Sequence, residues 1–466
     1  MKIRFIFKYL AMSGKTPIFV ASKYKQRLNF PLVDMAKIQI NSKKYCSFGG
    51  IFSVKDVFNR TLSDAIDNFL GQRGETAKAY SYSELFSALF CNYLCGGDFL
   101  EDLNTRFRSE ICLPDGRTPS ADVVGDCLKS LAERNVEYAG KSGRVFHFNF
   151  ATRMNQLLLQ CLEATGQLKG GTSIDVDFDH VFLPCEKKDA TFSFKRMYGY
   201  FPGVLSCNGM ILGIVMCDGN NNVRFHQEDL LNHFFRLLEE RKVRIHIFRA
   251  DCGSYARPIV DTVSSHCEYF YLRANNCRHR YDMFANSRSW KKASINGEAC
   301  EVDSFPFEDF GEDRHLRLVV QRVEMHIERD PHQFLAFEEE PAYEYRCILT
   351  NDWQSSEFTV IHRYNQRGAS EKVFDIQNND FGWAHMPFSF MNENVVFLLA
   401  TAMLKNFYLH FLSLVPEGKI NGLHRKCRLK AFLTRFVCVV ARWVRRGRTN
   451  ILNLYTDQPY ELMFSS

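Results

Sequence analysis

At 466 residues with 46% hydrophobic side chains, the chain has length for about three domains and ample material for a large core. Charged residues make up 24%, aromatic ones 14%, and no Gly/Ser, Gln/Asn or Pro-rich tract interrupts the sequence, which excludes a disordered chain. The net charge of +6 is modest, so its distribution matters more than its size.

The first 34 residues carry no clear pattern and read as an extension, with Met35-Ala36-Lys37-Ile38-Gln39-Ile40 as a second possible start. Lys8 breaks the early apolar run and no cleavage site follows, so secretion is not expected. The 16 cysteines are scattered, and the close pair Cys91 and Cys95 lacks partners at zinc spacing; they read as reduced, buried thiols of a cytosolic protein.

Residues 35–165 read as a mainly helical domain. Leu85, Phe86, Leu89, Phe90, Tyr93 and Leu94 fall on one face of a helix over 83–94, ended by Gly96-Gly97. A second helix is expected over 98–107, and Ser120 offers a cap for a third carrying Val123, Val124, Cys127, Leu128 and Leu131. Short helices between tight turns suit a DNA reader and any other small helical domain alike.

From Thr172 the period changes to strands, over 172–178, 198–207 and 210–217. An amphipathic helix over 227–241 follows, then strands over 243–250 and 269–273. Three antiparallel strands, a helix and parallel strands is the order of a ribonuclease H-like core, an α/β fold with a mixed sheet flanked by helices. Its first part spans 166–274. Residues 275–340 read as an insertion with one clear strand, 315–324. The second part, 341–415, holds strands over 343–350 and 357–362, a helix near Gln366 and a long helix over 392–415. Its apolar stretch, 395–415, could span a bilayer, but Lys405, Asn406 and His410 lie within it and indicate a core helix, with no membrane partner.

Residues 416–466 read as a basic helical region. Ten Lys and Arg and no acidic residue lie between Gly418 and Thr456. Such charge suits a polyphosphate partner, or else marks a solvated helix face. On a helix, Arg428, Arg435 and Arg442 recur every seven residues as one stripe, expected to contact DNA phosphates.

Asp175, Asp177 and Asp179 alternate, so a strand puts all three on one face. Carboxylates arranged so repel one another unless a cation or water satisfies them, and the outer two could equally be solvated at a frayed end. Asp251 ends an apolar strand, as a ligand or a helix cap would. Glu371 taken alone is a surface glutamate.

Tyr364-Asn365-Gln366-Arg367-Gly368-Ala369-Ser370-Glu371 resembles the Tyr-x-x-Arg-x-x-x-Glu signature of bacterial insertion-sequence DDE transposases. Ile174-Asp175-Val176-Asp177 and Arg249-Ala250-Asp251-Cys252-Gly253 resemble that family's two aspartate motifs, and the group numbered thirteen-eighty is most similar. The resemblance implies a metal triad of Asp177, Asp251 and Glu371 holding two Mg²⁺ or Mn²⁺ ions, with Asp175 behind it and Tyr364 and Arg367 gripping DNA. It implies cut-and-paste transposition on double-stranded DNA, with terminal inverted repeats and target DNA as partners, a homodimer in the synaptic complex, and a cytoplasmic, nucleoid-associated protein. The sequence departs from the pattern at Asn378, where a lysine is usual, and at Asp179, where Thr or Ser is usual. A transposase-derived DNA-binding protein without catalysis and a ribonuclease H-like nuclease are the alternatives.

Overall fold

The computed structural model describes residues 44–466 except 75, 77, 78, 109, 110, 112–116, 142, 276, 326–341, 417, 419, 421, 459 and 461–466. The expected extension over 1–34 lies outside the described residues. In chain order, α1 (Ile51–Leu70), α2 (Tyr82–Leu94) and α3 (Ala121–Ser130) precede β1 (Val136–Ala139), β2 (Val145–Asn149) and α4 (Thr152–Ala164). Next come β3 (Ser173–His180), β4 (Leu183–Pro184), β5 (Thr191–Phe192), β6 (Tyr198–Tyr200), β7 (Gly203–Cys207), β8 (Met210–Cys217) and α5 (Gln227–Glu239). They are followed by β9 (Arg244–Ala250), α6 (Arg257–His266), β10 (Cys267–Arg273), α7 (Tyr281–Asn286), β11 (Lys291–Ile295), β12 (Glu298–Phe307), β13 (Leu316–Glu324) and β14 (Tyr343–Thr350). The chain continues with α8 (Glu357–Asn365), α9 (Ala369–Asp380), α10 (Met391–Leu414), α11 (Leu429–Phe432), β15 (Val440–Arg446) and β16 (Thr449–Tyr455).

Among the described residues eleven strands form one mixed sheet, ordered β1-β2-β8-β7-β3-β9-β10-β14-β13-β12-β11. β3, β9 and β10 run parallel; the other pairings are antiparallel. Within the region expected as an insertion, β11 and β12 add to this sheet beside β13.

Local chemistry explains several helix boundaries. Ser120 accepts from Val123 N to open α3, and Ser81 and Glu84 form a reciprocal capping box for α2. The expected helix over 98–107 shrinks to turns and a wide helical turn over Leu103–Phe107, because Asp102 accepts the backbone N–H groups of Asp98 and Phe99. The expected strand over 357–362 is helical: Ser356 accepts from Thr359 N, and Val360 and Ile361 pack together on Ile247, Tyr271 and Ile348. Adjacent residues cannot both face one side of a strand, whereas a helix allows it.

The helices α1 to α4 share one core with α10 and the C-terminal segment. α10 is long and apolar enough to cross a membrane, yet 89% of its most apolar stretch is buried in the protein. Within it Lys405 is 1% exposed, and its Nζ has no partner among the described residues. Burial pushes its pKa from the usual 10.5 down to about 7. The unfolded chain therefore binds the extra proton between these values, so the contribution of Lys405 to stability is most favourable above pH 10.5 and declines as pH falls toward 7. Lys405→Met should raise the unfolding midpoint at neutral pH and flatten this slope in calorimetry, by a few kcal/mol, since one pKa unit is about 1.4 kcal/mol.

Candidate active site

Alternation along β3 sends Val176 and Phe178 into the core shared with α5 and α6. Asp175, Asp177 and Asp179 consequently take the opposite face, toward α8. Register then decides what each one meets. Asp177 lies opposite Arg249 of β9, and the two form a bidentate pair: Nε donates to Oδ1 at 2.6 Å and Nη2 to Oδ2 at 3.2 Å. Their side chains are only 7% and 6% exposed. Arg249 Nη1 also donates to the Arg363 carbonyl at 3.1 Å and to Gln366 Oε1 at 3.2 Å, tying the sheet to the end of α8. Both Asp177 oxygens are thus engaged by a cation already inside the protein, where a metal ligand was expected.

The next residue on that face also has both oxygens engaged, but through a single arginine contact and a backbone N–H. Asp179 Oδ2 accepts from Arg367 Nη1 at 2.8 Å, and Oδ1 accepts from His180 N at 2.9 Å. Its carboxyl is held above its usual range, first by burial and further by the charge of Asp251, with Arg367 pulling the other way. Asp179 was expected near solvent; its side chain is 17% exposed and stands in the field of the second aspartate. Asp251 leaves the end of β9 and caps the short turn Cys252–Ser254, Oδ1 accepting from Gly253 N at 2.9 Å. Capping occupies one oxygen, so the cap and ligand readings are compatible. Arg224 donates to the carbonyls of Cys252 and Gly253 at 2.9 and 3.2 Å, fixing that turn. Tyr364 is half-buried beside Arg367 and Asp251, and burial raises its pKa first of all. The fold therefore gathers Asp179, Asp251, Tyr364 and Arg367.

Asp175 is half-buried within the field of Arg363. Glu371 lies in the first turn of α9, exposed, and makes no hydrogen bond or ion pair among the described residues. Asn378 is half-buried later in α9, and Lys372 is exposed. No three His, Cys, Asp or Glu side chains converge as a metal site among the described residues. What is present suits a hard dication in kind, two carboxylates from neighbouring parallel strands, one of them poorly solvated.

The basic C-terminal helix is overturned. Among the described residues of this region only Leu429–Phe432 and a wide turn over Leu433–Val437 are helical, after which β15 and β16 form a hairpin. Ala441 exchanges backbone hydrogen bonds with Cys46, and Trp443 packs on Phe52 with ring centres 5.1 Å apart; these contacts select a strand. The stripe accordingly dissolves. Arg428 is bound to Asp375 and Asp380, so it serves to join α9 to the C-terminal segment. Arg435 is exposed in the turn, and Arg442 sits half-buried on β15.

Arg249 and Arg224 escaped the reading from sequence. A lone arginine inside the buried strand Ile245-His246-Ile247-Phe248-Arg249-Ala250 was the available signal, since a buried guanidinium requires a carboxylate.

A family model described as transposase DDE domain group 1 matches residues 31–466. The chain belongs to that family. No curated protein sequence matches this DDE transposase domain. Among solved structures, it is similar to a piggyBac transposase synaptic complex with hairpin DNA, at 12% identity and a TM-score of 0.40, over 82% of this chain and 78% of that one.

Proposed function

We propose that this chain is a DNA transposase that cuts DNA at the ends of its element and joins it to a target, by cut and paste, from a ribonuclease H-like core. The observation that carries the reading is the meeting of Asp179 and Asp251 on adjacent parallel strands with Arg367 bound between sheet and helix. In this reading Asp179, with Asp251, holds metal, and Asp177 supports the site through Arg249. Glu371 is the third carboxylate, about one turn beyond Arg367. Mg²⁺ or Mn²⁺ ions bound there would activate the attacking oxygen and stabilise the leaving one. Arg367 neutralises Asp179 before substrate arrives, and its planar fork suits a phosphate through two hydrogen bonds. Tyr364 packs beside it and limits its freedom. The exposed arginines of the C-terminal hairpin add backbone contacts.

The Tyr364-to-Glu371 signature also supports the narrower assignment to the thirteen-eighty group of bacterial insertion sequences, and to a dimeric synaptic complex on double-stranded DNA. A second reading, DNA binding without catalysis, is favoured by the exposed, unengaged Glu371. Incubating the full chain with DNA carrying the matching inverted repeats that flank its gene separates the two. Cleavage at the repeat boundary that requires Mg²⁺ and stops with chelator is the expected result. Binding without cleavage under Mg²⁺ and Mn²⁺ would favour the second reading.

A further inference from the structure

Directly after β3, the chain passes from His180 into a three-stranded sheet ordered β4-β6-β5, whose tip carries exposed aromatic residues. Phe194 is 72% exposed, Phe192 54% and Tyr198 53%. A fold with a large core has no packing reason to leave three rings in water. The base of this element is firmly held. Tyr200 donates its hydroxyl to Asp189, Asp189 accepts from Met391 N at 2.8 Å, and Lys188 N donates to the Ser389 carbonyl at 3.0 Å. Gly199 has no room for a side chain against the Leu183 carbonyl. The tip is a defined turn: Ser193 N donates to Met197 O at 2.9 Å, and Arg196 takes a left-handed conformation with φ 59°.

The rings lead back to the carboxylates. Phe194 lies 6.1 Å from Phe201, and Phe201 lies 5.4 Å from His180, the neighbour of Asp179. His180 is half-buried and its ring packs between Phe178 and Phe201. Lys195 sits 5.4 Å over the Phe182 ring, and Arg196 beside it is exposed. Rings and cations together on one rigid tip match bases and phosphates, because every base has a stacking face and every linkage a negative charge.

We propose that this aromatic tip grips the DNA end at the cleavage site, Phe194 stacking on a base that has left its pair while Lys195 and Arg196 hold the adjacent phosphates. The proposal rests on the transposase reading and adds a substrate feature to it, preference for an opened DNA end. Anisotropy with a blunt duplex, and with the same duplex mismatched over its last few pairs, tests it. The unaltered chain should prefer the mismatched end by about tenfold, the size of one base stacked on a ring. Phe194→Ala should lose that preference with blunt-duplex binding unchanged, and Phe194→Trp should keep it. Phe194 is exposed, so both variants should fold, which circular dichroism verifies. A preference surviving in Phe194→Ala, or absent from the unaltered chain, overturns the proposal. So does a shift from dimer to monomer in Phe194→Ala, which would make the tip a contact between copies. If the unaltered chain binds neither duplex at low salt, the transposase reading itself fails.

Discussion

Asp179→Asn and Asp251→Asn proteins should each bind DNA at least as tightly as the unaltered chain and cut none of it with Mg²⁺. The substitution keeps shape and removes one charge. Binding holds or improves because a negative group facing phosphate is lost. Cleavage disappears because an amide is a poor ligand for a hard dication and leaves its charge uncompensated. Asp179→Asn also removes the charge that pairs with Arg367 at 2.8 Å, which strengthens the phosphate grip further. Glu371→Gln should behave likewise. A gel-based cleavage assay beside a binding titration reads both quantities. Cleavage by Asp179→Asn at an unaltered rate would remove this residue from the metal site and return Asp177 to consideration.

The second large effect falls on stability. Asp177→Asn leaves Arg249 buried with its charge unpaired, a change that costs about 3–5 kcal/mol in comparable sites. The same change loosens the hold of Arg249 on the Arg363 carbonyl and Gln366, so the end of α8 and the Arg367 segment should exchange amide hydrogens faster. Replacing both partners with apolar residues, Asp177→Leu with Arg249→Met, should recover much of the loss, because no buried charge then remains. Urea unfolding curves of the three proteins measure this. At low temperature, where the fold persists, Asp177→Asn should retain some metal-dependent cleavage. Its complete loss in a fully folded protein, with stability unchanged, would make Asp177 a metal ligand after all.

Much of this fold is legible from local pattern. The strand over Tyr343–Thr350 was expected at its observed bounds, and the helix over 83–94 is found at Tyr82–Leu94. Each is written in a period and a boundary signal that neighbouring residues carry themselves. The three aspartates of β3 were placed on one face for the same reason. The long helix over 392–415 was read as core from Lys405, Asn406 and His410 within it, and its apolar stretch is mostly buried in the protein.

What the sequence could not determine is which aspartate meets which partner. That depends on register between β3 and β9, strands more than sixty residues apart, and a one-residue difference would change every facing pair. The observed register sets Asp177 against Arg249 and leaves Asp179 beside Asp251. The C-terminal segment and α8 followed the same rule. Alternating and helical periods compete in such short apolar stretches, and distant contacts decide: Cys46 and Phe52 select the strand at Ala441 and Trp443, while Ile247 and Tyr271 select the helix at Val360 and Ile361. Local sequence therefore determined the elements and the inventory of charged groups. Only the tertiary structure decided their pairings, because the energy that chooses among them comes from burial and from charges brought together across the chain.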